Sequence, residues 1–239
     1  FNENKVKFFM QFGASATVMD EDREIGFMGA AFNIFDAVIG IGALGVNSSA
    51  IPTYDAEGND TGTTDYRSGV LYTSFAYPTE FVSFGVTTKV LYENLDRTNY
   101  TGLGGDIGIQ TDFMPLLQLG VVVQDLGSGL QTLHEEEKYS NDYVFTDPLL
   151  RMNVAIKSRT ADFILSLGIV RKFENEDPLY KLGFQYNFAS QSAFLLGVRD
   201  SLFSTGIKMN LWSLDLSYAL SVDSIDFGYN HTASVMVLF

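Results

Sequence analysis

The chain has no cysteine and no long run of apolar residues, and both absences limit what it can be. Without cysteine there is no disulfide framework and no thiolate to bind a metal ion. The longest clean apolar run, Ala37 to Val46, falls well short of the roughly 18 residues that a membrane-spanning helix requires. It matches instead the length of a transmembrane strand, which is about 9 to 11 residues. A membrane protein built from spanning helices is therefore excluded.

Positive charge is also scarce, because 15 lysine and arginine residues stand against 29 aspartate and glutamate residues. The formal net charge is -14. Proteins that bind nucleic acid present a basic surface to its phosphates, so a nucleic-acid partner is not expected. At 239 residues the chain needs no second domain, and residues 1–239 are expected to form a single domain.

What the sequence has in abundance is alternation of apolar and polar residues over short segments. In one of them Leu214, Leu216, Tyr218 and Leu220 alternate with polar or small residues. Successive side chains of a strand point to opposite faces, so such a segment predicts a strand with one apolar face. About fourteen segments of this kind recur along the chain. They are expected at 5–18, 25–32, 37–46, 66–77, 81–93, 102–111, 116–124, 149–157, 162–172, 179–188, 193–199, 203–210, 213–221 and 231–239.

The connections between these strands are alternately short and then mostly long and acidic. Asn47 to Asp65 and Asp125 to Pro148 are the longest, and only Asp200 to Leu202 is short where a long loop is due. Bacterial outer-membrane barrels keep short turns on the periplasmic side and longer loops outside. In a soluble sandwich the apolar faces would need a second sheet, whereas in lipid they need only acyl chains, and closure pairs every backbone N–H and C=O. The sequence therefore predicts an all-β, up-and-down antiparallel transmembrane barrel, surrounded by outer-membrane lipid and lipopolysaccharide.

Cationic residues recur on the face of the strands that is expected to line the lumen. Glu93, Asp106 and Asp215 lie on the same face. One interpretation is that the inward cations pair with these acids or stand in water. The other is a weakly cationic conduit that holds an anionic head group such as a carboxylate. On the second interpretation the candidate ligand-binding residues are Lys89, Arg151, Lys172, Lys181, Arg199 and Lys208, and Lys157 lies on the same face.

Other chemistry has little support in the sequence. The glycines at 102, 104 and 108 share one parity of a strand and do not complete a phosphate-binding G-x-G-x-x-G motif. His134 and His231 lack the paired spacing of a metal site, and Asp60 stands where a calcium loop beginning at Asp55 requires glycine. No nucleophile is paired with a base. No metal, cofactor or catalytic residue is predicted, and the chain is not expected to be an enzyme.

The middle of the chain resembles a known family. Phe84–Asp96 (FGVTTKVLYENLD), Gly105–Gly108 (GDIG) and Leu119–Gly127 (LGVVVQDLG) are similar to successive strands of the PorV-type branch of the FadL-like outer-membrane barrels. The resemblance implies fourteen strands. In FadL-type members it implies uptake of long-chain fatty acids or other hydrophobic small molecules. In PorV it implies an accessory role in type IX secretion with an envelope protein partner.

The two halves of that resemblance give two functional hypotheses. The first is a transporter of hydrophobic or amphipathic small molecules in the Gram-negative outer membrane. The second is a scaffold barrel whose acidic outer loops hold a protein. The N-terminal plug of these families is expected to be missing from this chain or to precede it, because a strand is predicted almost from residue 1.

Overall fold

The computed structural model describes residues 9–239 apart from 21–22, 97, 115, 134–142, 159, 161, 174–176, 190–191 and 224–227. This part of the chain forms fifteen antiparallel strands. In chain order they are β1 (Met10–Met19), β2 (Arg23–Ile34), β3 (Ala37–Tyr54), β4 (Asp60–Pro78), β5 (Val82–Leu95), β6 (Thr98–Met114), β7 (Leu117–Leu133), β8 (Tyr143–Phe145), β9 (Leu149–Lys157), β10 (Phe163–Lys172), β11 (Leu179–Ala189), β12 (Ser192–Arg199), β13 (Leu202–Leu211), β14 (Leu214–Asp223) and β15 (Tyr229–Leu238). No helix among the described residues is long and apolar enough to cross a membrane.

The strands close into a ring. Apart from β8 and β9, which do not pair with each other, each strand pairs with its neighbours in the chain, and β1 pairs with β15. β7 pairs with β6 on one edge. The other edge of β7 pairs with β9 and with the three-residue β8, which together occupy one strand position of the barrel. The predicted up-and-down antiparallel barrel of fourteen strands is therefore confirmed. Residues 5–8 of the first predicted strand lie outside the described residues.

Several strands are longer than predicted, and the loops between them are correspondingly shorter. β3 and β4 continue through most of the predicted loop Asn47 to Asp65, which leaves only a tip at Asp55–Asn59. β5 ends at Leu95 and β6 begins at Thr98, where the sequence predicts a loop. Outside the lipid a strand keeps its ladder hydrogen bonds but no longer needs an apolar face. The alternation that predicts strands therefore stops before the strands do.

Tight turns close several hairpins with backbone in the left-handed region. Phe35, Asp96, Asp200 and Trp212 have φ between 51° and 59°. Short hairpin turns often place a residue in this conformation, which favours glycine, asparagine and aspartate. Phe35 and Trp212 are unusual at such positions, and both are almost fully exposed at the short turns on the side of the chain termini. This is where the aromatic girdle of a membrane barrel meets the lipid head groups.

The apolar faces of the strands point outward and cover no interior core. Leu182, Phe184 and Tyr186 are 37–47% exposed, and their cross-strand partners on β10 and β12 point the same way. Among the described residues Ala193 is the only apolar residue that is buried. A soluble sandwich would bury its apolar faces between two sheets, so that alternative is wrong. The outer surface is instead suited to contact acyl chains.

Candidate functional site: the inner wall of the barrel

All six sequence-predicted ligand residues lie at strand positions that face the lumen. Cross-strand register settles this, because residues directly opposite each other share one face of the sheet. Lys181 stands opposite Arg199, and the next inward pair on these strands is Gly183 with Gly197. Lys89 lies opposite Tyr72 on β4 and Gly104 on β6. The register places the cations inside but does not make them equivalent, because their partners differ.

Lys89 is buried in a network of charges and does not offer a free ammonium to the lumen. Its Nζ lies 2.7 Å from Asp106 Oδ1 and 2.8 Å from Asp125 Oδ1, and its side chain is only 7% exposed. The backbone N–H of Asp125 donates to the same Asp106 oxygen at 2.9 Å. Two carboxylates thus neutralise one cation. Of the two sequence-based interpretations, pairing with acids describes Lys89.

Lys208 and Lys172 also have partners. Lys208 Nζ lies 3.2 Å from Asp215 Oδ2, and Asn210 donates a hydrogen bond to the other oxygen of that carboxylate. Lys172, at the end of β10, takes part in a polar interaction as well. Pairing with neighbours therefore accounts for half of the predicted set.

The remaining three cations, Arg151, Lys181 and Arg199, form the cation cluster. Arg151 on β9 lies one strand beyond β10 from Lys181, and Lys181 feels the charge of both arginines. Within the described part of the chain none of the three makes an ion pair or a side-chain hydrogen bond. Arg151 Nε is buried without a hydrogen-bond partner. The cluster is thus a group of three neighbouring cations that no acid among the described residues neutralises.

An apolar strip lies on the opposite side of the ring. It consists of Phe27, Leu44, Val70 and Leu91, which stand directly opposite one another across β2, β3, β4 and β5. All four side chains lie on the same face of the sheet as Tyr72 and Lys89, which is the face toward the lumen. In a ring of fourteen strands β2–β5 stand opposite β10–β13. These include the strands of Lys181 and Arg199, so the strip faces that side of the cation cluster across the lumen.

The ring of Phe27 lies flat along the wall because two neighbouring positions have no side chain. A Cβ at Gly29 or at Gly42 would come within 3.0 to 3.2 Å of ring atoms of Phe27. Sequence reasoning missed the apolar strip because apolar residues occupy both faces of β2 and β3, which weakens the alternation there. The sequence does contain one signal for the strip, which is the pair Gly29 and Gly42 at positions that face the lumen.

From Asp125 onward, β7 shifts out of the plane of the sheet onto the lumen side of β6. This shift is called the step in β7. Asp125 and Gly127 have φ of about 60°, and the register shifts on both sides of Gly105. A Cβ at Gly102 would lie 1.8 Å from the carbonyl oxygen of Gly129, and one at Gly104 would lie 1.9 Å from Ser128 Oγ. Gly102 and Gly104, which the sequence places on one parity of a strand, are therefore needed for the close approach of β7 to β6. The step brings Asp125 to Lys89.

A side chain at Gly104 is expected to displace this step. Gly104→Ala should lower the free energy of unfolding by about 1 to 3 kcal/mol, because Ser128 has to move from a closely packed contact. Gly120→Ala is the matched control: it lies on β7, has no atom within 4 Å of its Cβ position and should change stability by less than about 0.5 kcal/mol. Urea unfolding in lipid vesicles measures both, and equal effects would contradict the step.

The tip of the β3–β4 hairpin uses its acidic residues for turn formation. Asp55 Oδ1 accepts hydrogen bonds from the backbone N–H groups of Glu57 and Asn59, at 3.0 and 2.7 Å. The side-chain amide of Asn59 donates to Asp55 Oδ2, and this bond lowers the pKa of the Asp55 carboxyl. Among the described residues no group of histidine and acidic side chains is placed to hold a metal ion. His134 and its acidic neighbours lie outside the described residues.

Comparison with known proteins gives no match to any protein-family profile or curated protein sequence. Solved structures do match in fold. The toluene transporter TodX of Pseudomonas putida is 10% identical with a TM-score of 0.64, over 97% of this chain and 88% of that one. The CymD monoaromatic hydrocarbon channel is 11% identical with a TM-score of 0.62, over 97% and 87%. A Pseudomonas aeruginosa FadL homologue is 9% identical with a TM-score of 0.58, over 98% and 90%.

The molecule is thus an outer-membrane-type β-barrel of fourteen strands. More narrowly, it has the FadL-like barrel fold, as the resemblance of its central strands predicts.

Proposed function

We propose that this barrel is a channel of the bacterial outer membrane that passes hydrophobic or amphipathic small molecules, such as long-chain fatty acids. The observation that carries the proposal is the two-sided lumen, in which the apolar strip faces the cation cluster. A general pore for hydrophilic solutes has no use for an apolar strip in its wall.

The geometry provides for both ends of an amphipathic ligand. An apolar tail that lies on Phe27 and Leu44 leaves water, which contributes about 0.8 kcal/mol for each CH₂ group buried. An anionic head group is attracted to the cation cluster across the lumen. The paired Lys89 and Lys208 do not compete for it, because their charges are already neutralised.

The structural neighbours support hydrophobic cargo as well. TodX is described as a toluene transporter and CymD as a monoaromatic hydrocarbon channel. These are channels and transporters for hydrophobic compounds, not enzymes. Applied to this chain, they support hydrophobic cargo, and the cation cluster extends that cargo to amphipathic anions.

The test is growth on a long-chain fatty acid as sole carbon source, in a Gram-negative host that lacks its own outer-membrane channel for such compounds. The wild-type chain should restore growth. Leu44→Asn combined with Val70→Asn should reduce uptake about tenfold, because it replaces two apolar contacts of the tail with polar ones. Ser68→Asn, an inward polar position two residues from Val70, is the control and should retain uptake.

Two results would contradict the proposal. One is rapid entry of small sugars without entry of any hydrophobic compound, which describes a general pore. The other is no entry of either, together with a protein partner that stays bound through gentle extraction from the envelope, which describes the scaffold barrel.

A further inference from the structure

We propose that the cation cluster binds a head group with more than one negative charge, of the phosphate monoester type, on an amphipathic ligand whose tail lies on the apolar strip. This inference rests on the proposed channel function and narrows the class of cargo. A fatty acid has a single negative charge, whereas the cluster presents three positive ones.

Like charges placed directly opposite each other in a sheet are destabilising. Lys181 and Arg199 are such a pair, and Arg151 adds a third charge within electrostatic reach of Lys181. At Lys89 and Lys208, by contrast, this barrel places acids beside inward cations. No described acid does so here. The missing negative charge is therefore expected to come from a ligand.

Arg151 gives a second, independent indication. Its Nε is buried and has no hydrogen-bond partner among the described residues. A buried donor without a partner costs free energy unless an acceptor arrives. A guanidinium group presents its donors as a planar fork that fits two oxygens of a phosphate at once. A rotation of the Arg151 side chain that brings the enclosed Nε to a phosphate oxygen would therefore satisfy this donor.

Small polar side chains lie against the wall beside the cluster, over positions that carry no side chain of their own. A Cβ at Gly168 would lie 2.6 Å from Asn153 Oδ1, and the Oγ of Ser166 occupies the corresponding place over Gly183. Gly168 stands opposite Lys181, and Gly183 stands opposite Gly197 on the same inward face. The inward positions next to this glycine pair are Ser166 on β10 and Ser204 on β13. The hydroxyl of Ser166 is a further donor, and that of Ser204 is hydrogen-bonded to Ser221 Oγ at 2.9 Å. An inner surface of glycines bordered by hydroxyl groups and cations is well suited to a tetrahedral anion.

The experiment compares three ligands with the same twelve-carbon tail: dodecyl phosphate, dodecanoate and dodecanol. Binding to the purified barrel in nanodiscs is measured by titration calorimetry at pH 8, where the second pKa of a phosphate monoester, about 6, leaves the head group doubly charged. Dodecyl phosphate should bind at least about tenfold more tightly than dodecanoate, and dodecanol more weakly than both. At pH 5 the phosphate is singly charged, so dodecyl phosphate should bind about tenfold more weakly than it does at pH 8.

Variants locate the site. Arg151→Gln, Lys181→Gln and Arg199→Gln should each weaken dodecyl phosphate binding by about tenfold and leave dodecanol binding unchanged. Lys157→Gln is the control, since it removes an inward charge near the periplasmic end of β9 and should have no effect. Unchanged dodecanol binding also shows that each variant is folded.

Equal binding of dodecyl phosphate and dodecanoate at pH 8 would overturn the inference and leave the channel function standing. Phosphate binding that does not respond to the three cluster variants would also overturn it. Failure of the channel function gives a different result, in which dodecanol does not bind and no hydrophobic compound enters cells.

Discussion

Lys89→Met is expected to lower the free energy of unfolding by about 3 to 5 kcal/mol, because it leaves two carboxylates in the inner wall without their cation. Lys89 bonds to Asp106 on β6 and Asp125 on β7, so its loss also releases the step in β7. The unpaired carboxylates would repel each other across the gap in the β6–β7 ladder. Urea unfolding in lipid vesicles measures the loss.

The triple variant Lys89→Met, Asp106→Asn, Asp125→Asn is the matched rescue. It removes the negative charges together with the cation, so it should recover most of the lost stability. Lys208→Met is a second control, because the Lys208–Asp215 pair is more exposed and contributes at most about 1 kcal/mol. A cost for Lys89→Met that is no larger than that of Lys208→Met would show that the network does not hold the wall.

Ile207→Arg is expected to cost about 2 to 4 kcal/mol, which is the cost of placing arginine on the lipid face near the middle of a bilayer. Ile207 lies near the centre of β13, points outward, and has Phe194 and Tyr218 as cross-strand neighbours. The same arginine in a soluble protein surface would cost almost nothing.

The next residue along the strand provides the control. Lys208 already places a cation on the inward face, so Lys208→Arg should change the free energy of unfolding by less than about 0.5 kcal/mol. Urea titrations in vesicles distinguish the two variants. If Ile207→Arg is as mild as Lys208→Arg, the outward face of β13 is not in contact with lipid.

Alternation in the sequence predicted the barrel best where the two faces of a strand differ most. In β11 every outward residue from Tyr180 to Phe188 is aromatic or leucine, whereas the inward residues are polar or glycine. In β2 and β3 the apolar strip makes the inward face apolar too, so the period of two fades. Beyond Val46 the strand leaves the lipid and alternation ends, although β3 continues to Tyr54.

The candidate site was predictable in part for a related reason. Strand parity is enough to place Lys181 and Arg199 on the inward face. It does not tell which inward cations have partners, because that depends on register between strands and on the step in β7. Asp125 belongs to a predicted loop by sequence, yet the left-handed backbone at this residue turns its carboxylate to Lys89. Only the register between strands in the folded barrel distinguishes the paired lysines from the cation cluster.

The central claim is that hydrophobic cargo passes through the lumen while the opposite faces of the same strands lie in lipid. Because the chain has no cysteine, single-cysteine variants test it directly. Gln185 points inward and its neighbour Phe184 points outward on β11. The measurement is labelling of Gln185→Cys and Phe184→Cys in intact cells by a bulky, water-soluble maleimide, followed by fatty-acid uptake. We predict that Gln185→Cys is labelled and uptake then stops, while Phe184→Cys stays unlabelled. Equal labelling of both, or full uptake after Gln185→Cys is labelled, would contradict the account.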